Sequence, residues 1–236
     1  MELGYWAIKG RCEPIRWLAL YLGLDIKWVN IELKNAGEWF GKRKAELELD
    51  FPNLPYLIDG DFKITESAAI AQYLIHKAGR SDLLGKDLRE QAKARELEGV
   101  ISDIKQQVFK SIYLNSEDSK IKESFALSLR EGELIPSKLA QLSKVLGGKE
   151  FLQDHLTYQD FEFAYWCELL EVVAASLGSP NPLLPHKNLM ALVQRVKSLP
   201  KVAERVNQSD DLMYSPLMKF RCLTYKEYHA NVLTKK

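Results

Sequence analysis

The first eighty residues alternate between short apolar runs of period two and short helical stretches. Residues 2–8 carry Leu3, Tyr5, Trp6 and Ile8 in loose alternation, which predicts a first strand. Glu13-Pro14 followed by Ile15, Trp17, Leu18, Leu20, Tyr21 and Leu22 predicts a helix, with Pro14 in its first turn and Gly23 at its end. Residues 26–31 alternate as a second strand. Residues 36–47 are polar with isolated aromatics, a short exposed helix or an irregular segment. Two prolines then flank Asn53-Leu54. Pro55 has no N–H and biases Leu54 to an extended backbone. Residues 51–55 are therefore expected to form a stiff, exposed loop with unpaired backbone groups at Leu54. Tyr56 to Ile58 reads as a buried strand, Asp59-Gly60-Asp61 as a turn, and Phe62-Lys63-Ile64 as another short strand. Thr65-Glu66-Ser67 opens a helix over 66–78, with small polar groups and N–H donors at its start. An extended backbone edge beside a helix N-terminus suits a small peptide that carries a carboxylate.

The pattern changes at Ala78-Gly79-Arg80-Ser81-Asp82, which places a linker at about residues 79–86. Leu97, Val100, Ile101, Ile104, Val108 and Ile112 then follow helical spacing, so residues 88–114 are expected to be one long amphipathic helix. A second helix is expected at about 117–141, with a stop near Gly147-Gly148. Thr157-Tyr158-Gln159-Asp160 has a capping-box layout, and Leu156 and Phe161 stand where a hydrophobic staple would. The helix that follows, through Trp166 to Val173, is apolar on most sides and should be the buried centre of this half. Residues 187–206 suggest two short helices divided at Pro200. The tail after 207 has weak signals, with aromatics that would serve to cover a site.

Composition narrows the class. Hydrophobic residues make up 46% and charged residues 28% of the 236, ordinary for a globular chain. Lys plus Arg number 33 against 32 Asp plus Glu, so charge points to neither nucleic acid nor an anionic membrane. No apolar run approaches the ~20 residues of a membrane span, and the start lacks a secretion-signal layout. Cys12, Cys167 and Cys222 are too few and too far apart for a disulfide framework, which suits a cytoplasmic location. The histidines His76, His155, His186 and His229 never approach a cysteine at ligand spacing, so no metal site is expected.

Phe51-Pro52-Asn53-Leu54-Pro55-Tyr56-Leu57-Ile58-Asp59-Gly60-Asp61, followed by Lys63-Ile64-Thr65-Glu66-Ser67, resembles the glutathione-binding segment of cytosolic glutathione transferases, closest to the mu class. Leu3-Gly4-Tyr5-Trp6 with Ile8-Lys9-Gly10 resembles the mu start, while Arg11, Glu13, Pro14, Ile15 and Arg16 are more like the sigma class. The resemblance implies an α/β thioredoxin-like domain over 1–80 that binds glutathione, then an all-α helical-bundle domain over 87–236 that carries the electrophile site. It further implies that Tyr5 donates a hydrogen bond to the glutathione sulfur. The Leu54 backbone, on an edge held open by a cis Pro55, would pair with the cysteinyl unit, Glu66 and Ser67 would hold the γ-glutamyl end, and Trp6 and Asn53 would also contact glutathione. Mu enzymes usually have glutamine where Glu66 stands.

Lys44 and Trp39 correspond to the mu pair that holds the glycine carboxylate. Trp39 stands one residue further from Asp50 than in that pattern, so Phe40 and Arg43 are alternatives there. Asp103 matches an aspartate that reaches glutathione in a neighbouring subunit, and Tyr113 a tyrosine that assists the electrophile. Arg11, where mu enzymes have leucine, would face the electrophile. Phe51 resembles the aromatic key of a homodimer, although Gln72 replaces an arginine of the mu interface. Cys12, near a helix N-terminus and beside Arg11, is open to two readings, a buried bystander or a thiol of lowered pKa. The expected reaction is attack of glutathione thiolate on an apolar electrophile, with glutathione as co-substrate and no other cofactor. The rivals are a non-enzymatic carrier of glutathione or apolar ligands and a sigma-like glutathione-dependent prostaglandin isomerase.

Overall fold

A computed structural model describes residues 1–113, 118–207 and Leu212, with the backbone alone described at Ile112, Tyr113, Asp118 and Asn207. The chain divides into two compact units, Met1–Ser81 and Asp82–Lys236.

The first unit is built on a four-stranded sheet of order β2-β1-β3-β4, formed by β1 (Glu2–Trp6), β2 (Lys27–Ile31), β3 (Tyr56–Asp59) and β4 (Phe62–Thr65). β1 runs parallel to β2 and antiparallel to β3, and β3 pairs antiparallel with β4. The crossover between the parallel strands is α1 (Glu13–Tyr21), which starts with Pro14 at its second position, where a missing N–H costs nothing. β1 is shorter than the expected 2–8. The Ile8 N–H donates to the Trp6 carbonyl at 2.6 Å, a tight turn that takes the chain off the sheet. As a central strand it is covered on both sides, so Leu3, Gly4 and Tyr5 are all buried. The ring of Tyr56 lies across Gly4, where an added Cβ would fall 2.1 Å from Tyr56 Cε1.

Residues 33–46 form four short helical pieces: a 3-10 turn at Leu33–Asn35, α2 (Ala36–Glu38), a π turn at Trp39–Arg43 and α3 (Lys44–Glu46). The last element of the unit is α4 (Ser67–Lys77).

The second unit holds α5 (Leu88–Tyr113), α6 (Asp118–Ser128), α7 (Leu134–Leu146), α8 (Tyr158–Leu177), α9 (Lys187–Lys197) and α10 (Val202–Asn207). The single helix expected over 117–141 is two helices. Gly132 takes φ +84, a left-handed turn that interrupts the i→i+4 pattern. Pro136, which would break a helix interior, becomes the third residue of α7, where it is tolerated. α8 is buried nearly all round and packs against α5 and α9, as an apolar-all-round helix must. It starts with a reciprocal cap in which the Asp160 carboxylate accepts from the Thr157 N–H at 2.8 Å and the Thr157 hydroxyl at 2.9 Å. Among the described residues no helix is long and apolar enough to cross a membrane. Apart from Leu212, the tail after 207 lies outside the described residues.

Candidate active site at the carboxyl end of the first strand

Tyr5 sits one residue before the end of β1, with 6% of its surface exposed. Its hydroxyl oxygen accepts the backbone N–H of Arg11 at 3.1 Å. The turn that brings this amide round needs Gly10 twice over. Gly10 has φ +46, and an added Cβ would stand 2.8 Å from the Tyr5 Oη and 2.9 Å from its Cε1. A donor on the phenol oxygen polarises the O–H, as in any hydrogen-bonded chain of low exposure. The Arg11 side chain is exposed, whereas Cys12 is wholly buried. A thiol in that position has no access for exchange chemistry.

Strand register gathers further residues at this end of the sheet. Gly4 pairs with Tyr56, so the next step of the antiparallel ladder sets Tyr5 beside Pro55. Tyr56 pairs with Thr65 as the last pair of that ladder, so Pro55 and Glu66 adjoin it, one on each chain segment. The Leu54–Pro55 peptide is cis. Contrary to the expected exposed loop over 51–55, only Phe51, Pro52 and Asn53 are exposed; Leu54 and Pro55 are buried. The Leu54 side chain joins the core cluster of the unit, which anchors the loop from within. Among the described residues no backbone group bonds to the Leu54 N–H or carbonyl. The Thr65 hydroxyl donates to the Phe51 carbonyl at 2.9 Å and pins the loop to β4.

Glu66 has φ +71 and ψ 123 at the N-cap of α4, a conformation that a residue with a Cβ holds only under strain. Its carboxylate lies 3.5 Å from the Asn53 side-chain amide, which donates to it. Ser67 is the first residue of α4, where unpaired N–H groups and the helix dipole favour an anion. One edge therefore offers a carboxylate for a cation beside N–H donors for a carboxylate.

Trp39 and Phe40 part company. Trp39 leaves only 3% of its surface exposed, stacked 6.2 Å from the Tyr56 ring at 4° and edge-on 6.3 Å from Trp6. Phe40 is 65% exposed, tilted against Trp6, with the Lys44 ammonium 6.0 Å from its ring centre. Arg43 turns to the sheet instead, donating to the Tyr56 hydroxyl at 3.0 Å and lying 3.6 Å from Glu2. Burial, and then the bond to Glu2, push the Tyr56 phenol up to about 12, so it stays a neutral bridge.

Other expected residues lie in the second unit. Asp103 on α5 pairs with Lys138 of α7 at 3.1 Å. Tyr113 ends α5, and its side chain lies outside the described residues. Phe51 is 78% exposed, and Gln72 lies exposed on α4. Sequence reading missed a buried polar group under the Tyr5 turn, formed by Glu13, Arg16 and Trp17, from which Arg16 reaches out to the exposed Asn30. Its signal was present: Glu13 and Arg16 stand three apart on an otherwise apolar helix.

Known proteins resemble this chain over most of its length. Residues 1–76 match the family model described as glutathione S-transferase, N-terminal domain, and residues 102–208 the one described as its C-terminal domain. The chain is 33% identical over 208 residues to the glutathione S-transferase class-mu 26 kDa isozyme of Schistosoma japonicum, covering 88% of each. It is 33% identical over 215 residues to glutathione S-transferase Mu 2 of Homo sapiens, covering 89% of this chain and 91% of that one. The solved structure of the glutathione S-transferase Blo t 8 superposes with a TM-score of 0.80 at 26% identity, covering 93% of this chain and 99% of that one. The mixed sheet followed by a helical unit is the thioredoxin-like plus all-α architecture of that fold. The chain belongs to the glutathione S-transferase family of transferases.

Proposed function

We propose that this chain conjugates the thiolate of glutathione to apolar electrophiles, with Tyr5 activating the sulfur. The observation that carries this reading is the Tyr5 hydroxyl held at 3.1 Å by the Arg11 amide, on the sheet edge that also presents Leu54, Pro55 and Glu66. A free thiol near pKa 8.5 is only a few per cent ionised at neutral pH, while the thiolate is the nucleophile. A phenol O–H aimed at the sulfur stabilises the anion, and each unit of lowering is worth ~1.4 kcal/mol. Holding the two substrates together supplies the rest of the rate.

Glutathione is an extended tripeptide with two carboxylates and an ammonium. Its cysteinyl unit adds as a short strand to the Leu54 edge beside Pro55 and Trp6. Its γ-glutamyl carboxylate takes the Ser67 end of α4, and its ammonium takes Glu66, which Asn53 steadies. Its glycine carboxylate takes Lys44, beside the exposed ring of Phe40. The electrophile faces Arg11. The working form is a cytoplasmic homodimer in which Phe51 enters the partner and Asp103 reaches the partner's glutathione. Phe51 is 78% exposed, as a ring that enters a partner must be in the lone chain.

Assaying chlorodinitrobenzene conjugation by wild type and Tyr5→Phe tests the reading. Activity should fall by on the order of 10- to 100-fold at neutral pH, one to two units of lost thiol activation. Equal activities would remove Tyr5 from the mechanism, and glutathione binding without turnover by wild type would favour a carrier.

A further inference from the structure

Arg16 leaves 2% of its surface exposed, yet its guanidinium reaches four oxygen atoms. Nη1 donates to the Ile8 carbonyl at 2.8 Å, the Lys9 carbonyl at 3.4 Å and the Glu13 carboxylate at 3.1 Å. Nη2 donates to the Asn30 side-chain oxygen at 3.2 Å on β2. Glu13 is fixed in turn by the Trp17 indole, which donates at 3.0 Å. Burying an ion pair in a helix core adds less stability than apolar packing of the same volume, unless its hydrogen bonds perform another task. Here the two clamped carbonyls belong to the residues just before Gly10. The second N–H after them, that of Arg11, is the one that meets Tyr5.

We infer that Arg16 is a positioning residue for thiol activation: by clamping the Ile8 and Lys9 carbonyls it fixes the turn whose Arg11 amide polarises Tyr5. The inference rests on the reading of Tyr5 given above. Glu13 neutralises the guanidinium at 3.1 Å, so the influence travels through backbone position and not through a long-range field. A lysine keeps the charge but lacks the planar fork that spans two carbonyls, a carboxylate and an amide oxygen. Asn30 is the link that ties this clamp to the neighbouring strand.

The test is the pH dependence of kcat/KM for chlorodinitrobenzene at saturating glutathione, which titrates the bound thiol, in the full-length wild type, Arg16→Lys, Tyr5→Phe and the double variant. Arg16→Lys should move the acid limb upward by about one unit, a tenfold loss below it, with the KM for glutathione little changed. On the Tyr5→Phe background the same substitution should add no further shift, since both act through one hydroxyl. An unmoved limb in Arg16→Lys alongside a moved one in Tyr5→Phe overturns the inference and leaves the Tyr5 reading standing. Additive shifts also overturn it. If Tyr5→Phe itself moves nothing, the Tyr5 reading falls and takes this with it. Should Arg16→Lys fail to fold, Asn30→Ala carries the test. It should shift the limb in the same direction by less, and no shift overturns the inference.

Discussion

The Arg11 amide donates to the Tyr5 hydroxyl at 3.1 Å across a turn that only Gly10 allows. Adding a methyl group at position 10 would put carbon 2.8 Å from that oxygen, and φ +46 costs a residue with a Cβ about 1 kcal/mol besides. Gly10→Ala should therefore keep its fold by near-ultraviolet circular dichroism, melt a few degrees lower, and lose conjugation activity out of proportion to that change. Full activity in Gly10→Ala would mean that the phenol tolerates displacement.

Phe51 is 78% exposed at the tip of the loop that Thr65 pins. Burial of one phenyl is worth about 2 kcal/mol, so two keys in a symmetric dimer contribute roughly 4 kcal/mol, near a thousandfold in dissociation constant. Phe51→Ser should sediment as a monomer at concentrations where wild type is dimeric. Identical sedimentation of the two proteins would remove Phe51 from the interface.

Asp160 gives a pH signature. Burial pushes its carboxyl up to about 6, against the bonds from Leu152 and Thr157 that work to lower it. The folded chain then binds this proton more tightly than the unfolded chain. The group's stabilising effect is full below the ordinary carboxylate value near 3.8 and is lost as pH rises through about 6. The stability advantage of wild type over Asp160→Ala should shrink by about 2 kcal/mol between pH 4 and pH 7 in denaturant titrations. An advantage that grows over that range would mean that the three hydrogen bonds outweigh burial and hold the carboxylate ionised.

Lys197 of α9 meets Glu168 of α8 at 2.6 Å, with 10% and 2% of their side chains exposed. Removing the cation strands a buried carboxylate, so Lys197→Met should cost about 3–5 kcal/mol in urea unfolding, and Lys197→Met with Glu168→Leu should recover most of it. A double variant no more stable than the single would assign the loss to packing.

Much of the site was legible because it is written in local chemistry. Prolines at 52 and 55, the turn after β3, and small polar residues at the start of α4 act on their own backbone. What stayed hidden depends on contacts between distant residues. Nothing in the sequence near Leu54 says that its side chain turns into the core. The break between α6 and α7 escaped because buried Ile121, Phe125, Ile135 and Leu139 continue an apolar pattern across it. Trp39 and Phe40 could not be told apart, since they stand in a π turn, which holds one residue more than an α turn and shifts the phase of the side chains. That extra residue gives a physical reason for the one-place offset of Trp39.

The most direct measurement is the ultraviolet thiolate absorbance of glutathione bound to wild type and to Tyr5→Phe, titrated with pH. Wild type should hold the sulfur anionic one to two units below the free value near 8.5, and Tyr5→Phe should return it to about that value. Identical titrations in the two proteins would contradict the account.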